Sequence, residues 1–269
     1  MKQAFTEVRA IMAEKMVVTS LNWVMGDWVT GSDAAFLSQL KPVLAELRRK
    51  NVAVIGFSDR DRAEIEPLRT ALNWSDPFVV ESGSAIFTPV DHNPFSVPMG
   101  EQDGAYFVAE FGCPYVQSRA GLRVLANLIS HPLKGFGDFT VPQLERFLKI
   151  SEEVAHRAKA REFSEPFMTP KAVETDVLVK AAKEMGFEIV LRDPETTRFS
   201  ELVGGGASVS EAIAQIISAY KQDNAAASVV VLGTEADRQS VLSATETVND
   251  WAAVIVRSQD EWLAQLKHL

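Results

Sequence analysis

The chain has 269 residues, 46% of them hydrophobic and 23% charged, the composition of an ordinary globular protein with length for a main domain plus a smaller one. No apolar run reaches the roughly 20 residues that a membrane helix needs, and MKQAFTEVRAIMAEK lacks the apolar centre and cleavage site of a secretory signal, so a cytoplasmic protein is expected. The single Cys113 and four scattered histidines give neither a disulfide nor a zinc spacing, and a net charge of −9 opposes nucleic acid and anionic lipid while leaving room for a local phosphate-binding pocket.

In chain order, Phe5, Val8, Ile11 and Met12 make residues 1–14 amphipathic. They predict a helix that packs on its own domain or offers a face to a protein partner. Residues 16–21 and 51–57 are short β-branched runs, and the stretch from 34 to 50 between them has helical periodicity, which together predict a βαβ unit. Residues 77–80, 85–87, 187–191, 228–232 and 252–256 predict further strands, and 209–221 and 236–242 predict helices. This alternation implies a largely parallel sheet with helices on both faces. From about residue 89 the rhythm changes. A Pro- and Gly-punctuated stretch leads to a strand, a helix over 118–129 and two helical stretches within 141–161. An inserted domain is therefore expected over 91–191, with the core formed by 1–90 and 192–269.

Several stretches carry a resemblance. Asp76 to Phe87 reads DPFVVESGSAIF, Gly135 to Thr140 reads GFGDFT, and Ala158 to Pro166 reads AKAREFSEP, joined by Arg198-Phe199, Gly204-Gly205 and Leu232-Gly233. They are similar to the mannosyl-3-phosphoglycerate phosphatase family of the haloacid-dehalogenase (HAD) superfamily. The resemblance covers nearly the whole chain after residue 15. It implies an α/β fold in which a HAD-like, Rossmannoid parallel sheet carries an inserted α/β cap.

The resemblance also implies a chemistry, and the residues depart from it. The family's first strand ends in DxDGT, whose first Asp attacks phosphorus and whose second is the general acid and base. Here these positions are Ser20 and Asn22, followed by Trp23 and Val24. Serine has no neighbouring base to activate it, and asparagine cannot shuttle a proton. The family's GDxxND metal loop is Gly233 to Arg238, with Thr234 for the first Asp and Arg238 for the last. Glu235 and Asp237 are left as weak carboxylate ligands, and Arg238 is expected where a cation would sit. Val209 stands at the position of the phosphoryl-neutralising lysine, and no lysine occurs between Lys183 and Lys221. No cofactor is expected, with Mg²⁺ reserved for an enzymatic reading.

Ser58, at the end of the second strand, corresponds to the family's phosphoryl-binding hydroxyl and reads equally well as a helix N-cap. In the cap motifs, Asp138, Arg161, Glu162 and Ser164 are expected to face a ligand, with Arg161 offering a two-bonded fork to a carboxylate or phosphate. The other reading makes GFGD a turn and REFSEP a helix end. Glu81, in a turn, is expected at the cleft, and Gly205 and Gly206 before a helix offer backbone amides to an anion.

Three functions follow: a pseudo-phosphatase that binds a phosphorylated sugar or glycerate, or a protein partner; an active sugar-phosphate phosphatase with a rearranged site built on Glu235, Asp237, Asp27 or Asp59; and an interaction subunit whose cleft is filled by Trp23.

Overall fold

The computed structural model describes residues 15–25, 33–95, 97–191, 199–222, 228–245 and 251–269. The expected helix over 1–14, together with Asp27 and Arg198, lies outside the described residues. In chain order the elements are β1 (Lys15–Ser20), α1 (Asn22–Met25), α2 (Ala34–Arg49), β2 (Val52–Phe57), α3 (Arg62–Leu72), β3 (Phe78–Val80), β4 (Ala85–Pro89), β5 (Glu101–Asp103), β6 (Tyr106–Glu110), α4 (Tyr115–Leu128), α5 (Val141–Leu148), α6 (Glu152–Arg157), β7 (Glu165–Met168), α7 (Thr175–Glu184), β8 (Phe187–Val190), β9 (Phe199–Gly204), α8 (Val209–Lys221), β10 (Ser228–Gly233), α9 (Arg238–Thr245), β11 (Trp251–Ile255) and α10 (Gln259–His268).

An eight-stranded sheet runs β11-β10-β1-β2-β3-β4-β6-β5. Its β11-to-β3 half is parallel and its β4-β6-β5 end is antiparallel. β1 and β2 are apolar on both sides because both sides are covered. Val17, Val54 and Phe78 pack with Leu40 and Leu44 of α2, Ile65 of α3 and Trp262 of α10. Met16, Val18, Ile55 and Val79 pack with Ile213 and Ile217 of α8 and Val241 of α9 on the opposite face. Side-chain caps start the helices: the Asp33 carboxylate accepts from the Ala35 amide at 2.9 Å before α2, and Asp61 accepts from the Glu64 amide at 2.9 Å before α3.

A smaller antiparallel sheet, β7-β9-β8, forms the cap. Leu122 and Leu125 of α4 and Leu178 of α7 pack with Phe167 and Leu202 of this sheet, while Phe136, Phe139 and Leu144 form a second cluster around α5 and α6.

Strand pairing moves the expected borders of the insertion. β6 pairs with β4 from Ala85↔Glu110 to Pro89↔Tyr106, so the residues from 91 to about 112 extend the core sheet. β9, expected in the core after residue 191, pairs with β7 and β8. The chain therefore crosses between the two parts near residues 112–114 and 204–207. The Pro- and Gly-punctuated stretch at the start of the expected insertion is largely the loop joining β4 to the β5-β6 hairpin. REFSEP is not a helix end either: α6 stops at Arg157, and Glu165-Pro166 opens β7. No described helix is long and apolar enough to cross a membrane.

Candidate functional site

The loops after β1, β2 and β10, the N-terminus of α8 and the cap strand β8 surround a cleft of about 920 Å³. Ser20, the last residue of β1, is 1% exposed, and its Oγ accepts weakly from the Asn22 amide at 3.4 Å. Asn22 reaches the cleft and its Nδ2 donates to Asp237 Oδ1 at 3.4 Å. The other oxygen of Asp237 accepts from the Thr234 amide at 2.9 Å and from Thr234 Oγ1 at 2.6 Å, closing the turn before α9. Val209 lines the cleft at the position of the expected lysine.

Arg238 does not sit where a cation would. It forks onto Glu235 at 2.6 and 2.8 Å on the surface, and this i,i+3 pair leaves both side chains mostly exposed, so neither lines the cleft. Trp23 does not fill it either. It packs at the edge of the α2/α10 cluster, and its carbonyl accepts from Gln259 at 2.8 Å.

Ser58 lines the cleft beside Asp59. Its Oγ accepts from the Arg60 amide at 3.1 Å, a local turn contact, and its own amide donates to the Val79 carbonyl at 3.1 Å. Of the glycine pair, Gly206 lines the cleft with φ +105°, whereas Gly205 donates to the Gly186 carbonyl at 2.8 Å and packs against that backbone. Of the Glu81-Ser82-Gly83 turn expected at the cleft, it is Ser82 that faces it. It sits in a turn in which Glu81, Ser82 and Gly83 all have positive φ. A Cβ on Gly83 would lie 2.2 Å from the Ser208 backbone, so glycine lets the turn fit under the start of α8.

The cap residues expected to meet a ligand are turned inward. Arg161 is 7% exposed, and its Nη1 donates to Glu201 Oε1 at 2.8 Å and to the Asp59 carbonyl at 2.7 Å. Its remaining nitrogens face Asp61 at 3.5 Å and Glu64 at 3.8 Å. The two-bonded fork is therefore spent inside the protein. Glu81, fully buried, accepts from the amides of Glu162, Phe163 and Ser164, and from Ser164 Oγ at 2.6 Å. Ser164 is also buried and contacts Glu201 at 2.7 Å. Glu162 forks with Arg62 of α3 at 2.9 and 3.0 Å, and Asp138 closes its own turn on the Gly135 amide at 3.0 Å while holding Arg119 at 2.8 Å. None of these residues lines the cleft.

Burial raises the Asp61 carboxyl to about 8, opposed by Arg161 and reinforced by Glu64 and Glu81. Burial likewise raises Glu81, against the pull of Arg161 and the bonds from Ser164 and Glu162. At Arg161 burial works against the charge, but Glu201, Asp61, Glu81 and Glu64 together hold the guanidinium firmly protonated.

A parallel sheet with its cleft at the carboxyl ends of the strands, beneath an inserted α/β cap, is the haloacid-dehalogenase fold. Solved structures with this fold include a HAD-superfamily phosphatase from Bacteroides thetaiotaomicron (TM-score 0.59, 12% identity, 97% of this chain and 96% of that one). A haloacid dehalogenase-like hydrolase from the same organism gives a TM-score of 0.55 at 12% identity over 94% and 98% of the chains.

The sequence comparison goes a step further: the chain resembles mannosyl-3-phosphoglycerate phosphatases. It is 36% identical over 144 residues to that enzyme of Pyrococcus furiosus, covering 53% of this chain and 58% of the relative. It is 27% identical over 183 residues to the glucosyl-3-phosphoglycerate/mannosyl-3-phosphoglycerate phosphatase of Persephonella marina, covering 68% and 65%. The chain thus spans about three-fifths of the length of these relatives. No family model matches it.

Proposed function

We propose that this protein is a phosphatase homologue that binds a phosphorylated sugar or glycerate in its cleft without hydrolysing it through an aspartyl-phosphate. The observation that carries this reading is the end of β1, where Ser20 is sealed at 1% exposure and Asn22 takes the second position. Neither side chain supplies a nucleophile with a base or a proton shuttle at neutral pH. The residues facing Asn22 do not suit Mg²⁺. Magnesium is held by one or two carboxylates at octahedral geometry, and the carboxylate that Asn22 bonds, Asp237, has one oxygen committed to Thr234 and the other to Asn22. Among the described residues no group of three His, Cys, Asp or Glu comes together in a way that would hold a metal. What the cleft offers an anion, beside the carboxylates of Asp59, Glu188 and Glu211, is neutral: the hydroxyls of Ser208 and Ser210, bonded to each other at 2.6 Å, that of Ser58, which donates to Asp59 at 3.3 Å, and the backbone entering α8 at Gly206.

A second reading, an active sugar-phosphate phosphatase with a rearranged site, is favoured by its relatives, which are phosphatases, and by Asp59 and Asp237 on the cleft wall. Isothermal titration with mannosyl-3-phosphoglycerate and 3-phosphoglycerate, with and without Mg²⁺, separates the two when free phosphate is followed in the same samples. Saturable heat without phosphate release is expected. Sustained Mg²⁺-dependent release would establish the enzyme instead, and silence in both would move the search to a protein partner.

A further inference from the structure

We infer that the buried carboxylates around Arg161 form a proton-linked latch that fastens the cap to the core and loosens as the pH rises. The cluster is assembled from four separate pieces of chain. The start of α3 and the loop before it bring Arg60, Asp61 and Glu64; the turn between β3 and β4 brings Glu81; the segment before β7 brings Arg161 and Ser164; and β9 brings Glu201. The first two belong to the core and the last two to the cap. Every one of these side chains is buried.

Among the described residues the cations facing the cluster are Arg60, which meets Glu64 at 2.9 Å, and Arg161, which meets Glu201 at 2.8 Å and Asp61 at 3.5 Å. Four carboxylates are thus enclosed with two guanidiniums. Asp59 flanks the cluster 4.0 Å from Arg60, and the Arg62–Glu162 pair closes its outer rim at 2.9 Å. Among the described residues, Asp61 Oδ2, Glu64 Oε2 and Arg161 Nε meet no hydrogen-bond partner.

Enclosed charges without full pairing are costly, and a carboxyl in such a place keeps its proton. At Asp61 this holds to about pH 8, with burial as the chief cause. Ionising it in place adds a charge that the two guanidiniums do not offset. Separating the cap from the core exposes the carboxyl to water and returns it to an ordinary acidity. By linkage the joined state therefore binds the extra proton and is favoured at lower pH, and the advantage fades as the pH rises towards 8. The latch bears on the cleft as well, since Arg161 holds the Asp59 carbonyl and Glu201 holds Ser82 Oγ, and both Asp59 and Ser82 are cleft residues. It operates whether or not the cleft turns over its ligand.

The test is amide hydrogen exchange across residues 160–166, whose amides at 162–164 donate to Glu81, at pH 6 and pH 9 after correction for the intrinsic exchange rate. Protection in the wild type is expected to fall by about tenfold or more between the two, with residues 40–50 of α2 unchanged. Asp61→Asn keeps the cap on α3 and cannot ionise, so its protection should fall markedly less, what remains coming from Glu81, which burial also raises. If that variant does not fold, Glu64→Gln serves, with a pH response weakened at least threefold expected. Equal protection in the wild type at both pH values, or a variant that falls in step with it, would overturn the latch.

Discussion

The Glu81 carboxylate accepts hydrogen bonds from three consecutive cap amides, those of Glu162 at 2.9 Å, Phe163 at 3.1 Å and Ser164 at 2.7 Å. One side chain of the core thus satisfies a stretch of cap backbone that has left helix α6 and not yet entered β7. Glu81→Ala strands these donors in a region closed to water, where each unsatisfied group costs about 1–3 kcal/mol. A loss of roughly 3 kcal/mol or more in unfolding free energy by urea titration is expected. A loss under about 1 kcal/mol would mean that the cap amides find other partners.

Trp262 of α10 is fixed to β1 by its indole N–H, which donates to Thr19 Oγ1 at 2.6 Å with both residues almost fully buried. Thr19→Val keeps the volume and removes the acceptor, so destabilisation of about 1–3 kcal/mol is expected. In a double-mutant cycle with Trp262→Phe, Thr19→Val should cost markedly less, because no buried donor is then left. Additive effects would show that the bond contributes nothing.

His92 Nε2 lies 3.0 Å from Asp76 Oδ1, and that bond raises the His92 pKa despite partial burial. A histidine with a raised folded-state pKa contributes stability that is complete below its unfolded value and is lost as the pH rises through the folded one. The ring is 43% exposed, so solvent screens the pair and the effect should stay below about 1 kcal/mol. His92→Gln is expected to lower the melting temperature slightly at pH 5.5 and not at pH 8.5. The reverse order would show that Asp76 is held by something else.

Much of the fold is legible in the sequence because its driving force is periodic and local. The runs at β1, β2 and β10 have to be buried on both faces, and α2 and α8 show helical spacing with caps at Asp33 and Ser208. The elements that escaped notice break those patterns. β7 contains Pro166 and survives as an edge strand. β9 interrupts its apolar residues with Ser200 and Glu201. Glu201 is the instructive case, since a carboxylate inside a strand reads as solvent-facing until Arg161, 40 residues away, is placed against it. The cap motifs were legible as motifs but not in their job. A run such as REFSEP carries the same letters whether its charges await a ligand or close on Glu81, Asp61 and Glu201, and only the three-dimensional pairing decides.

The cleft floor gives the sharpest prediction. Ser20→Asp with Asn22→Asp supplies both carboxylates that the resembled family uses, but neither enters a prepared site. Position 20 is 1% exposed, so a carboxylate there loses its hydration. Position 22 stands 3.4 Å from Asp237 Oδ1, so Asn22→Asp turns a donor–acceptor contact into one between like charges, which favours protonation or withdrawal of one partner. Val209 brings no compensating cation. The double variant is expected to be less stable by about 2–4 kcal/mol, as for unpaired charges in buried positions. Its release of phosphate from mannosyl-3-phosphoglycerate with Mg²⁺ should stay within about tenfold of the wild type, because absent members of a catalytic set are not replaced one at a time. A gain of roughly a hundredfold or more, abolished by EDTA, would mean that the metal loop is serviceable with Thr234 and Asp237 as they stand, and that the two residues at the end of β1 alone separate this protein from an active phosphatase.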